Sequence, residues 1–145
     1  MAVELLEICP DDGGMHTFFV LYSAGTVGAL VSTLVGWGMY HMGLFAVMGS
    51  TLAPQTSMST LYPRLVFGGL WALLIQLPGL NRLPWLQAGF LLSLFPFVAQ
   101  CLYFLPSSGS GWFGSHHGWG TAVVVFLIWL IWGLTTSLTS SLTRR

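Results

Sequence analysis

Long apolar runs, separated by short polar or glycine-rich joints, set the pattern of this chain. A spanning helix needs about 20 mostly apolar residues to cross about 30 Å of hydrocarbon, and four segments reach that length. The first covers residues 17–39 and holds no charge. The second covers 61–80, with Arg64 able to snorkel to one interface, Arg82 closing the other and Pro78 in the last turn. The third covers 84–105; Pro84 stands in its first turn, where a missing amide does no harm, and Pro96 predicts a kink in its interior. The fourth covers 118–138. Residues 43–48 are apolar as well, but with Gly49 and Pro54 close by they read as a re-entrant or interfacial continuation of the first span. A polar loop (50–60) and a Gly/Ser loop (106–117) complete the layout. The joint at 81–83 is so short that spans two and three are expected to be antiparallel neighbours.

The pattern gives an all-α polytopic membrane protein, a bundle of four transmembrane helices forming one domain over 17–138, with tails at 1–16 and 139–145. Barrel-forming strands alternate apolar and polar residues over short stretches, which these continuous runs do not.

Composition reinforces this reading. Of 145 residues, 54% are hydrophobic and 6% charged, where a soluble domain averages about 25% charged. The mean hydropathy is +0.78. There is no lysine, and the four cations are Arg64, Arg82, Arg144 and Arg145. No basic stretch exceeds two residues, so nucleic acid is excluded as a partner. Two cysteines, Cys9 in the tail and Cys101 in span three, build no disulfide scaffold and are not expected to meet. The acidic start (Glu4, Glu7, Asp11, Asp12) lacks the positive region of a cleaved signal peptide, so the first span reads as an uncleaved signal-anchor.

Four spans put both termini on one side. With the termini inside, Arg82, Arg144 and Arg145 are cytoplasmic against Arg64 outside, the sense the positive-inside rule favours. Trp37, Tyr40, Tyr62, Tyr103, Trp112 and Trp119 then gather at the outer interface, and Trp85 and Tyr22 near the inner one.

Lipid gives helices no hydrophobic reason to associate, so small residues that let backbones approach mark the packing faces. Gly25, Gly28, Ser32 and Gly36 form such a stripe on span one, and Gly68, Gly69 and Ala72 on span two. From the end of span four into the tail, Leu134, Leu138 and Leu142 share a face, as if the helix emerged into the interface, there to meet another subunit.

Candidate chemistry is sparse. No Asp, Glu, Lys or Arg sits at mid-helix, which removes most support from proton relays, voltage sensing and intramembrane carboxylate proteases. Gln100 follows Pro96 by four residues, so its amide is placed to satisfy freed backbone groups or a neighbouring helix; the rival role is a contact to a substrate or a pigment carbonyl. His41, flanked by Met39 and Met42, and the pair His116–His117 all fall at the outer face, and His16 at the inner one. Imidazoles from two segments could ligate haem iron, chlorophyll magnesium or copper; against this, adjacent histidines rarely serve one centre, and interfacial histidines are common. No Walker sequence, GxSxG, CxxC or HExxH occurs, and no catalytic residue is assigned.

The stretch Val31-Ser32-Thr33-Leu34-Val35-Gly36-Trp37-Gly38 resembles the first-helix segment of the YagU-type bacterial inner-membrane proteins, and residues 86–106 and 118–133 are similar in layout to that family's last two helices. Tyr62-Pro63-Arg64-Leu65-Val66-Phe67-Gly68-Gly69-Leu70-Trp71 looks like a motif of small bacterial membrane proteins. The chain departs from the family in being shorter and in carrying Gly36 where a basic residue is expected beside Trp37. The resemblance implies a bacterial inner membrane and four helices, and carries over no catalytic residue.

The expected function is a non-enzymatic accessory or structural subunit of a larger membrane complex, energy-converting or photosynthetic, packing against protein subunits, membrane lipid, or a carotenoid or chlorophyll-type pigment. Two other classes stay open. One is a small oligomeric transporter or channel with Pro96, Gln100 and Gly68–Gly69 along its path. The other is a haem or metal protein using His41 with His116 or His117.

Overall fold

A computed structural model describes residues 12–54 and 57–143, and among them there is helix and no strand. Helix α1 is Asp12–His41; α2 is Met58–Ala72, prolonged by a 3-10 turn at Leu73–Gln76. Helix α3 is Trp85–Ala99, running on through a π turn at Gln100–Phe104 and a last turn at Leu105–Ser107; α4 is Thr121–Thr143. All four are long and apolar enough to cross a membrane.

The ends differ from those the apolar pattern gives. Helix α2 stops at Gln76, and Pro78 lies in the link rather than in a last turn, because a proline holds the residue before it extended: Leu77 has φ −57° and ψ 134°. Gly79, at φ 121°, then turns the chain into a short 3-10 turn at Leu80–Arg82. Pro84 precedes α3 instead of opening its first turn. Helix α4 continues to Thr143, so residues 139–143 are helix rather than tail. The hydroxyls of Thr135, Thr139 and Thr143 donate to the carbonyls of Ile131, Thr135 and Thr139, so these side chains are satisfied on the preceding turn of the helix. Helix α1 begins before the apolar run; Glu4, Glu7, Cys9, Asp11, Arg144 and Arg145 lie outside the described residues.

Connectivity and adjacency part company in this bundle. Helix α1 packs on α2 on one side and on α4 on the other, and α3 packs on α4, so the order in space is α2–α1–α4–α3. Despite their short link, α2 and α3 scarcely meet, which corrects the expectation of close neighbours. Bulk decides it: the α2–α3 approach is mediated by Phe67 and Phe104, edge to face with ring centres 6.5 Å apart, whereas the other three crossings are built on glycine.

Those glycines admit backbone contact. A Cβ at Gly25 would lie 2.5 Å from the Ala72 Cβ and closer still to the Gly68 carbonyl, so Gly25 faces α2. One at Gly28 would lie 2.9 Å from the Trp132 carbonyl and closer to the Thr136 hydroxyl, so Gly28 faces α4. Gly36 looks across at Ile128, and Gly69 gives room to the Tyr22 ring. The stripe on α1 therefore serves two partners within one chain. Where α3 meets α4, a Cβ at Gly89 would stand 2.9 Å from the Gly133 carbonyl, and Ser137 donates to the Trp85 carbonyl at 2.7 Å. The interior toward the chain termini is filled by Leu21, Ala72, Ile75, Leu92 and Trp132.

One buried hydroxyl has no hydrogen-bond partner among the described residues, that of Thr136. An unsatisfied buried polar group costs about 1–3 kcal/mol, and replacing it by an apolar group of the same shape is neutral to stabilising. Thr136→Val is thus expected to leave the melting temperature in detergent unchanged or to raise it. A clear drop would show that the hydroxyl has a partner.

At the far end, the α1–α2 and α3–α4 connections pack on each other. Gly43, with φ 74°, ends α1 and starts a four-residue helix, Leu44–Val47, that buries Phe45. Thr51 then donates its amide to the His117 carbonyl at 2.8 Å, and the Ser50 and Thr121 hydroxyls bond at 3.0 Å. This loop end carries exposed Trp37, Tyr62, Tyr103, Trp112 and Trp119, while Trp85 is exposed at the other, tail end. At that tail end, His16 and Thr17 of α1 border the same hollow as Thr143 of α4.

Candidate functional site

Because α2 and α3 stay apart, a cleft is left between the four helices toward the loop end. Its volume is about 130 Å³, close to the roughly 150 Å³ of an engineered cavity that takes a benzene-sized molecule. Helix α1 gives the small wall, Ala29, Ser32 and Thr33. Helix α4 gives the apolar one, Val125, Ile128, Trp129 and Trp132, and Leu52 comes from the loop. Two polar side chains complete the lining: Arg64 from α2 and Gln100 from α3.

Each has a local reason to be there. Arg64 stands in the second turn of α2, about 9 Å along the axis from its first residue by the helical rise. Expected simply to snorkel to the interface, it lines the cleft while part of its side chain stays exposed. Gln100 opens the π turn. Pro96, buried within α3, has no amide to give its own helix, and the extra residue accommodated four positions later re-aims the side chains that follow; π turns arise in this way and concentrate at functional sites.

The polar inventory is asymmetric. The Ser32 and Thr33 hydroxyls both donate to the Ala29 carbonyl, at 3.1 and 2.7 Å. The side chains of Arg64 and Gln100 have no hydrogen bond or ion pair with any described residue. The lining side chains whose donors have no partner among the described residues are therefore the Arg64 guanidinium, the Gln100 carboxamide and the Trp129 indole. Its floor is Trp132, 1% exposed, whose indole donates to the Gly25 carbonyl at 3.0 Å.

The remaining candidates lie elsewhere. Gly25, Gly28, Gly36, Gly68 and Gly69 are in the helix crossings, and Ser32 alone of the packing stripe borders the cleft. The His41 ring sits 4.3 Å from that of Trp37 at the end of α1. His116 donates Nδ1–H to the Gly109 carbonyl at 2.8 Å, and His117 receives Thr51 through its carbonyl. No group of three or more His, Cys, Asp or Glu able to hold a metal occurs among the described residues. Cys101 is buried beside Leu105 and Val125 as a small apolar side chain.

A second hollow lies on the outside of the α3–α4 pair, about 570 Å³. Leu86, Phe90 and Leu91 face Leu130 and Leu134 across it, with Gln87 as its polar member. The backbone contact at Gly89 and Gly133 sinks the two helix axes together, and the larger side chains on either side stand up as banks.

Sequence reasoning missed Arg64 as a cleft residue, Trp132, and the α3–α4 crossing. Only the last had a signal, the four-residue spacing of Gly89 with Ser93 and of Gly133 with Ser137.

Compared with protein-family models, curated proteins and solved structures, the chain matches none.

Proposed function

We propose that the chain is a non-enzymatic accessory subunit of a larger complex in the bacterial inner membrane, with both termini cytoplasmic. The observation that carries this reading is the α3–α4 groove. It is long, apolar and open to the side, which suits a rod-shaped occupant: a ridge of a neighbouring transmembrane helix, an acyl chain, or a carotenoid or chlorophyll tail. Gln87 supplies one hydrogen-bonding group, enough to fix a register in a medium where such bonds contribute about 1 kcal/mol. The three-to-one arginine count supports the orientation.

A transport path has less in its favour. The cleft at Arg64 and Gln100 is floored by Trp132, and below it Leu21, Ala72, Ile75 and Leu92 occupy the interior.

The test is purification of the native protein in mild detergent, with co-purifying chains and the absorption spectrum from near ultraviolet to near infrared recorded together. Stoichiometric partners, with or without pigment bands, are expected, and Leu130→Trp, which fills the groove, should release them with the bundle intact. A colourless oligomer of this chain alone would overturn the reading.

A further inference from the structure

We propose that the cleft between α2 and α3 binds the phosphate of an anionic phospholipid headgroup, with Arg64 supplying the countercharge and Gln100 a second donor. A guanidinium stays protonated under all ordinary conditions, and a cation among membrane-spanning helices needs an anion or a water path. The acids of this chain are Glu4, Glu7, Asp11 and Asp12. Asp12 opens α1 at the tail end, the other three precede it on the chain, and the 30 residues of α1 separate that end from the loop end by about 45 Å. Among the described residues no carboxylate stands at the loop end, so the anion proposed for the cleft is an external one.

A volume of about 130 Å³ takes a headgroup phosphate and excludes a helix, which needs an axis separation of about 8–10 Å. Arg64 lies under two turns from the start of its helix, the depth at which headgroups give way to acyl chains. Helices α2 and α3 scarcely meet, with Phe67 and Phe104 in contact edge to face, and the cleft is not closed between them. Ile128, Val125 and Trp129 behind it suit the glycerol and first methylenes of a lipid. A freely dissolved phosphate would gain nothing from those walls. This inference stands whether or not the chain has protein partners.

The experiment compares wild type, Arg64→Gln, Arg64→Lys and Arg82→Gln, each in nanodiscs of phosphatidylcholine alone or of equal parts phosphatidylcholine and phosphatidylglycerol, with inorganic phosphate as a third condition. Melting temperature is read in each, and native mass spectrometry counts the lipid retained by wild type. Phosphatidylglycerol should raise the wild-type melting temperature, phosphate should not, and one phosphatidylglycerol should stay bound in preference to phosphatidylcholine. Arg64→Gln should weaken the lipid response about tenfold or more, the usual effect of losing a charged hydrogen-bonding partner. Arg64→Lys should keep part of it and Arg82→Gln all of it. If Arg64→Gln fails to fold, the lipid count on wild type decides by itself. Equal retention of the two lipids, an undiminished response in folded Arg64→Gln, an equal response to free phosphate, or cross-linking of Arg64 to a partner protein's carboxylate in place of lipid would each overturn the proposal.

Discussion

Gly28→Ala is expected to destabilise the bundle by about 3 kcal/mol, the upper end of the range for overpacking a filled interior. A single methyl group does this because of what it meets. The new Cβ would stand 2.9 Å from the Trp132 carbonyl and nearer still to the Thr136 hydroxyl. Trp132 is 1% exposed and Thr136 fully buried, so neither can swing aside, and the carbonyl belongs to the backbone of α4. Relief requires moving α1 away from α4, which also loosens Trp132 from Gly25. Since native proteins hold only about 5–15 kcal/mol in reserve, Gly28→Leu should yield no folded bundle at all. The control is Gly14→Ala on the same helix, where the added Cβ has nothing within 4 Å; alanine in a helix gains about 0.5–1 kcal/mol over glycine. Thermal melts in one detergent should place Gly28→Ala well below wild type and Gly14→Ala at or above it. Coincident melts for the two variants would show that α1 and α4 do not meet at Gly28.

The four helices are legible in the sequence because one criterion, length of apolar run, governs them. Their ends are less so, since each is set by a local event. Pro78 stops α2 through the conformation it imposes on Leu77, and α4 runs on through a Ser/Thr-rich stretch that reads as tail, its threonine hydroxyls bonded to carbonyls of the preceding turn. The packing residues on α1 and α2 are legible as small side chains, but not their destinations. A stripe at spacings of three and four covers enough of the helix surface to serve two neighbours, and Gly25 and Gly28 point to different ones. The short joint between α2 and α3 misleads for a related reason: a link limits how far apart two helix ends lie, while side-chain bulk decides how closely the helices pack.

The cleft shows the same division. Gln100 is marked in the sequence by its distance from Pro96, and its neighbourhood is unusual in the structure, a π turn. Arg64 lies close enough to a helix start that snorkelling explains it fully, and no spacing links it to a glutamine 36 positions away in the chain. Their convergence depends on α2 and α3 being held apart, a tertiary fact with no local signature. The sparse contact between those helices, at Phe67 and Phe104, leaves the space in which an interfacial arginine becomes the wall of a cleft.

Trp132→Ala should be the other severe lesion, and it separates two contributions to the core. The indole is the largest fully buried side chain and sits where α1, α2 and α4 converge, donating to the Gly25 carbonyl at 3.0 Å. Truncating a buried aromatic costs about 3–5 kcal/mol in soluble cores. In lipid the transfer part of that cost shrinks, because the unfolded reference is also apolar. The loss of close contacts around the void remains, so about 3 kcal/mol is expected. Trp132→Phe keeps most of the ring and removes the donor, which should cost about 1 kcal/mol, since the Gly25 carbonyl still has its own helix to bond. The melting order is then wild type, Trp132→Phe, Trp132→Ala. The void identifies itself further: an apolar hole of ring size binds a matching ring, so added indole should raise the melting temperature of Trp132→Ala while leaving wild type where it is. Equal melts for the alanine and phenylalanine variants, unmoved by indole, would mean that the hydrogen bond rather than the packed ring holds α4 to α1.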